Sequence, residues 1–132
     1  MPKPDLSALS STDWKKRREA IEELAQRDSQ ELAQGLLDLI RLDHQDPNAR
    51  NAALTLLPAL KTPVTEGLIS LLQDRDAEVR MYAVQALGDV KNSASEQALL
   101  SMLEDPNRNV RFNAVEALGK QQSQQAVEPL TA

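Results

Sequence analysis

Residues Val79–Gly88 read VRMYAVQALG and residues Val110–Gly119 read VRFNAVEALG, with seven of ten positions identical at an offset of 31. Self-similarity at such a period marks a repeat architecture, in which each unit is one supersecondary element. The period extends outward from this stretch. Leu68-Ile69-Ser70-Leu71-Leu72 recurs 31 residues later as Leu99-Leu100-Ser101-Met102-Leu103, and Leu36-Leu37-Asp38-Leu39-Ile40 is a third copy 32 residues earlier. In this frame an arginine column runs through Arg17, Arg50, Arg80 and Arg111. Four residues ahead of each stands Asp13, Asp46, Asp76 or Asn107. These are residue types whose side-chain oxygen accepts from the orphan N–H groups of a helix start.

Each unit therefore reads as a helix A, a turn and a helix B, with units at about 13–41, 46–73, 76–104 and 107–132. Pro47 falls at the first helical position, where its missing N–H is harmless. Gly88 and Gly119 are expected to close helix A in left-handed caps. Ala25 and Pro58 hold that place in the other two units, so those endings should differ. Ser93 with Glu96, and Asp28 with Glu31, have capping-box spacing for helix B, and Thr62-Pro63 is a cap followed by proline. Leu42 to Gln45 contain a two-residue insertion, expected to bulge as a longer loop. Aromatics are 2% of the chain (Trp14, Tyr82 and Phe112), so Leu, Val, Ile and Ala must build the core, which favours close-packed helices over sheet. A length of 132 residues fits a single domain.

These repeated residues resemble the short HEAT-like repeats first described in phycobilisome lyases and common in bacterial scaffold proteins. The resemblance spans about Asp13 to Leu130 and is strongest in the third and fourth units. It implies an all-α fold, a right-handed α-solenoid of four stacked antiparallel helix pairs with the last repeat truncated. It also implies a non-catalytic adaptor that binds a partner protein or a neighbouring domain of a longer chain. Because the family includes lyase subunits and DNA-repair relatives, a bilin lyase subunit and a HEAT-like DNA-repair protein are the alternatives.

At about 100° per residue, Val79, Ala83, Val84, Ala86 and Leu87 fill one arc of helix A. Ala77, Glu78, Met81, Tyr82, Gln85 and Asp89 face the other way. The fourth unit repeats the inward set as Val110, Ala114, Val115, Ala117 and Leu118. The column arginine lies inside the apolar arc, where a guanidinium is unfavourable unless its donors are used. Acceptors are expected in the inter-repeat turns, at Asp46, Asp74 or Asp105. An anion site is the other reading, but four copies at fixed register favour a structural ladder. In the first unit Lys16 and Glu23 occupy columns that are apolar later, as at a solenoid end that meets water. The last unit has no such change, and its helix B stops at Ala132 about a turn short. That end is expected to be cut from a longer solenoid or covered, with Val115, Leu118, Val127 and Leu130 exposed or masked by a neighbour.

Chemistry is scarce. A net charge of −5 argues against nucleic acid. The chain has no cysteine, which removes thiol catalysis and disulfides. No apolar run approaches a membrane span and Met-Pro-Lys-Pro-Asp lacks a signal-peptide core, so no membrane is expected and a cytoplasmic location is. His44, the one histidine, sits in an acidic inserted loop and is expected to be solvent-exposed, neither a metal ligand nor a base. Ser10, Ser11 and Thr12 have no base companion; Glu22 and Glu23 lie on one helix and do not face each other across a cleft. Lys15-Lys16-Arg17-Arg18 is balanced by Glu19, Glu22 and Glu23 and reads as a solvated face. No Gly-rich phosphate loop occurs. No enzyme, cofactor or metal is expected.

What remains is a binding surface. The resemblance implies that the outward columns of helix A line a concave face. By register these are Trp14, Lys15, Arg18, Asn48, Asn51, Met81, Tyr82, Gln85, Asn109, Phe112, Asn113 and Glu116. Exposed Trp, Tyr, Phe and Met are typical interface anchors. Mutual packing of Met81 and Phe112 across neighbouring units is the competing reading.

Overall fold

The computed structural model describes residues 5–90 and 92–125. Among them are seven α-helices and no strand. The helices are α1 (Trp14–Ala25), α2 (Gln30–Asp43), α3 (Pro47–Ala59), α4 (Thr65–Leu71), α5 (Ala77–Gly88), α6 (Ser93–Ser101) and α7 (Arg108–Gln125). Short 3-10 turns at Ser7–Ser10 and Met102–Glu104 lead toward α1 and α7. The chain divides into two compact units, residues 1–67 and 68–132, with the boundary inside α4.

The A helices α1, α3, α5 and α7 start where the acidic and amide caps stand. Asp13 accepts from Lys15 N, Asp46 from Asn48 N and Ala49 N, Asp76 from Glu78 N, and Asn107 from Asn109 N and Val110 N. Each bond satisfies a donor that has no intrahelical partner.

In the first unit α2 packs on α3, and the 3-10 turn Ser7–Ser10 lies against α1 and α3 with Leu9 buried. Leu32, Leu36 and Ile40, one stripe of α2, are buried together with Ala53, Leu56 and Leu57 of α3. In the second unit α5 packs along α7, and α6 packs on both. Val79, Ala83, Val84, Ala86 and Leu87 are buried, so the inward arc of α5 is the one its apolar residues trace.

Four local expectations are corrected. Neither Gly88 nor Gly119 is a left-handed cap: no described residue has a positive φ, and α7 runs through Gly119 to Gln125. Gly88 serves close packing instead, because a Cβ there would stand 2.9 Å from the Ala117 Cβ and 3.2 Å from its Cα. The insertion at Leu42 to Gln45 does not bulge; it lengthens α2 as far as Asp43. Ser29, not Asp28, caps α2, and Asn92 forms a capping box with Ser95 at α6, one residue earlier than the Ser93–Glu96 spacing suggests. His44 is not a solvated loop residue. It follows α2 directly, with 6% of its surface exposed.

Candidate functional site

The arginine column has one geometry in all four repeats. Arg17 Nη1 donates to the Ser11 carbonyl at 2.6 Å, Arg50 Nη1 to His44 at 3.3 Å, Arg80 Nη1 to Asp74 at 2.8 Å and Arg111 Nη1 to Asp105 at 2.7 Å. The acceptor is always six residues back, in the turn before the A helix. The backbone N–H of each arginine meanwhile closes the first helical bond, to the cap carbonyl four residues back. One residue thus ties the first turn of each A helix to the segment that leads into it.

Arg80 does more. Its Nε and Nη2 donate to the two carboxylate oxygens of Asp105 at 2.8 and 3.2 Å, a fork that joins the third repeat to the fourth. Burial of Asp105 opposes its ionisation. The Arg80 hydrogen bonds, the Asn107 N–H and the positive charges of Arg80 and Arg111 outweigh that and hold its carboxyl below the ordinary carboxylate range.

Two further polar groups tie successive repeats together, and spacing alone does not reveal them. In the first unit the Asp28 carboxylate accepts from Lys61 N, from Thr62 N at 3.0 Å and from the Thr62 hydroxyl. The Thr62 hydroxyl bond is the main reason its carboxyl is held low. In the second unit the buried Gln121 amide donates to the Leu87 and Val90 carbonyls and to Ser95 Oγ, at 3.0 to 3.1 Å. Both residues brace the turn between an A and a B helix of a neighbouring repeat. A polar residue near the end of helix A is the only sequence trace of this role.

The outward columns form two sets, one in each unit. In the first unit Trp14 is 58% exposed, with the Lys15 ammonium 5.9 Å from its ring centroid. Arg18 is exposed and pairs with Glu22 of its own helix; Asn51 is exposed and Asn48 half-buried. In the second unit Met81, Tyr82 and Gln85 of α5 are half-buried, as is Asn113 of α7. Asn109, Glu116 and Phe112 are exposed, Phe112 to 62%. Gln85 Nε2 donates to Asn113 Oδ1 at 2.9 Å, and Asn113 Nδ2 donates to the Asn109 carbonyl at 2.7 Å. A polar chain therefore crosses from α5 to α7 at Asn113, the chain neighbour of the exposed Phe112.

Repeated helix pairs sharing one arginine-to-turn geometry define an all-α protein of the α-solenoid class. The chain belongs to the HEAT-repeat family: residues 4–65 and 65–132 each match the family's model of HEAT repeats. HEAT repeats commonly mediate protein–protein interaction, and their all-helical fold is typically non-catalytic. No curated protein matches the sequence. Among the described residues no helix is long and apolar enough to cross a membrane.

Proposed function

We propose that this protein is a non-catalytic adaptor that holds a partner protein on the outward columns of its A helices, centred on Phe112, Tyr82 and Met81 of α7 and α5. The observation that carries this reading is Phe112. It is mostly in solvent, and its chain neighbour Asn113 is held by Gln85 of α5. A large exposed aromatic ring offers much apolar area to bury and has only two side-chain torsions to fix on binding, which is what an anchor residue needs. Trp14 with Lys15 offers a second anchor in the first unit.

The test begins with affinity capture of the partner from the native cell, followed by titration calorimetry. Phe112→Ala and Tyr82→Ala should each weaken the complex by about 1–3 kcal/mol. Arg75→Ala, in an exposed inter-repeat turn, should leave affinity unchanged. Circular dichroism checks that each variant is folded. If both aromatic variants bind like the parent while a helix B variant abolishes binding, the partner uses another face.

A further inference from the structure

The equivalent B helices α4 and α6 end at Leu71 and Ser101, whereas the two-residue insertion carries α2 on through Leu42 to Asp43. The added turn helps to line a groove of about 730 Å³ in the first unit, shared by α2, the start of α3 and the segment around the Ser7–Ser10 turn. Its apolar lining includes the buried Leu39, the half-buried Leu6 and Leu42, which is 68% exposed. A Cβ on Gly35 would stand 3.3 Å from Leu6 Cδ1, so this glycine lets Leu6 lie close against α2.

The charge of the lining has one sign. Asp38, Asp43 and Asp46 belong to it, and among the described residues no Lys, Arg or His does. At about 100° per residue, Asp38 and Asp43 mark the two edges of an arc of α2 about 140° wide, with Leu42, Gly35 and Leu39 between them. Arg41 and Gln34 both meet Asp38 Oδ1, and both lie outside that arc. Asp46 is engaged in capping α3. Asp43 is exposed and has no ion pair among the described residues. It ends α2, where the last carbonyls already make the helix terminus negative, so its carboxylate disfavours its own helix. A cation brought from outside relieves that repulsion.

We propose that this groove binds a basic, apolar peptide segment of a partner protein. Leucine-sized side chains of the segment cover Leu39 and Leu42, and a lysine or arginine on each side meets Asp38 and Asp43. Charge complementarity selects this occupant. An acidic segment would set its carboxylates against those of the lining. A hydrophilic cation would leave the surface of Leu6, Leu39 and Leu42 in water. None of the outward-column residues lines the groove, so this proposal is independent of the outward-column reading.

The test uses the full chain and a fluorescein-labelled peptide with the core Arg-Leu-Leu-Arg, read by anisotropy at low salt. Peptides with the core Glu-Leu-Leu-Glu or Arg-Gly-Gly-Arg should bind at least about tenfold more weakly. Asp38→Asn combined with Asp43→Asn should weaken the first peptide at least about fivefold, and Leu42→Ser at least about threefold. Glu104→Gln, an exposed carboxylate of the second unit, should leave affinity unchanged. Amide chemical-shift changes on titration should concentrate at Gly35, Leu39 and Leu42. No saturable binding overturns the proposal, as does equal binding of either control peptide. A loss with Glu104→Gln as large as that of the double variant would show attraction to the net charge of −5 alone, and overturns it. So does full affinity in the double variant or in Leu42→Ser. If circular dichroism shows the double variant unfolded, Asp43→Asn alone is read, with a loss of at least about twofold expected. Binding that appears only after residues 1–4 are removed assigns the groove to the chain's own leading segment and likewise overturns the proposal.

Discussion

The junction between α5 and α7 and the junction between α1 and α3 join equivalent helices, yet they are built differently. In the second unit the two A helices pack along each other, with Arg80 on Asp105, Gly88 against Ala117 and Gln85 on Asn113. In the first unit α1 and α3 meet over a shorter stretch, and among the described residues Arg17 reaches only the Ser11 carbonyl. His44 stands at the register position of Asp105, so no carboxylate is there to receive Arg17. The connection falls to Asp28, which grips the Lys61–Thr62 turn from the far end of its repeat. The repeat unit therefore specifies its own helix pair closely, while the join between pairs is rebuilt from whatever polar groups each end supplies.

The largest difference should come from the arginine partners. Asp105→Ala leaves Arg80 buried without its carboxylate and should destabilise by about 3 kcal/mol in a urea melt. Arg17→Ala removes a single hydrogen bond and should remove about 1 kcal/mol. Equal losses would mean that the carboxylate fork adds nothing to the turn carbonyl.

The glycines sharpen the contrast next. Gly88→Ala forces its new methyl against Ala117 and should destabilise by about 1–2 kcal/mol. Gly119→Ala, in open space within a helix, should stabilise by about 0.5–1 kcal/mol. Thermal melts of the two variants that shift in the same direction would break the comparison.

Acid should act through the same fork. The Asp105 carboxyl is held below its ordinary value of 3.8 in the folded protein. Its contribution is therefore fully present above the unfolded value and is lost as pH falls through the folded one. Melting temperature should drop on acidification below about pH 4, and Asp105→Asn should flatten that drop while lowering stability at neutral pH. A profile unchanged by the substitution would move the acid sensitivity elsewhere. The smallest effect belongs to Arg18→Ala. Its pair with Glu22 is 70% and 65% exposed, and stability should stay within about 0.5 kcal/mol of the parent.

The outward residues were legible as a class, because a helical wheel separates them from the apolar arc without any coordinates. Phe112 and Trp14 are exposed as their columns require, whereas Met81, Tyr82 and Asn113 are half-buried. The wheel knows only its own helix, and a neighbouring helix decides how far a flank residue sinks. The Gln85–Asn113 bridge joins residues 28 apart and belongs to no local spacing.

The amino-acid sequence by itself determined the repeat, the four helix A starts and the arginine column. All of these rest on interactions within six residues along the chain: a cap to N–H groups two or three ahead, a guanidinium to the carbonyl six behind. Tertiary structure alone decided what closes the gap between one repeat and the next. It turned Gly88 from an expected cap into a seat for Ala117, buried His44, and freed Asp28 from its own helix to hold another repeat's turn. The physical reason is distance. Those contacts link residues about 30 apart, so their energies depend on how two finished helix pairs approach, a quantity that no periodicity within one pair contains.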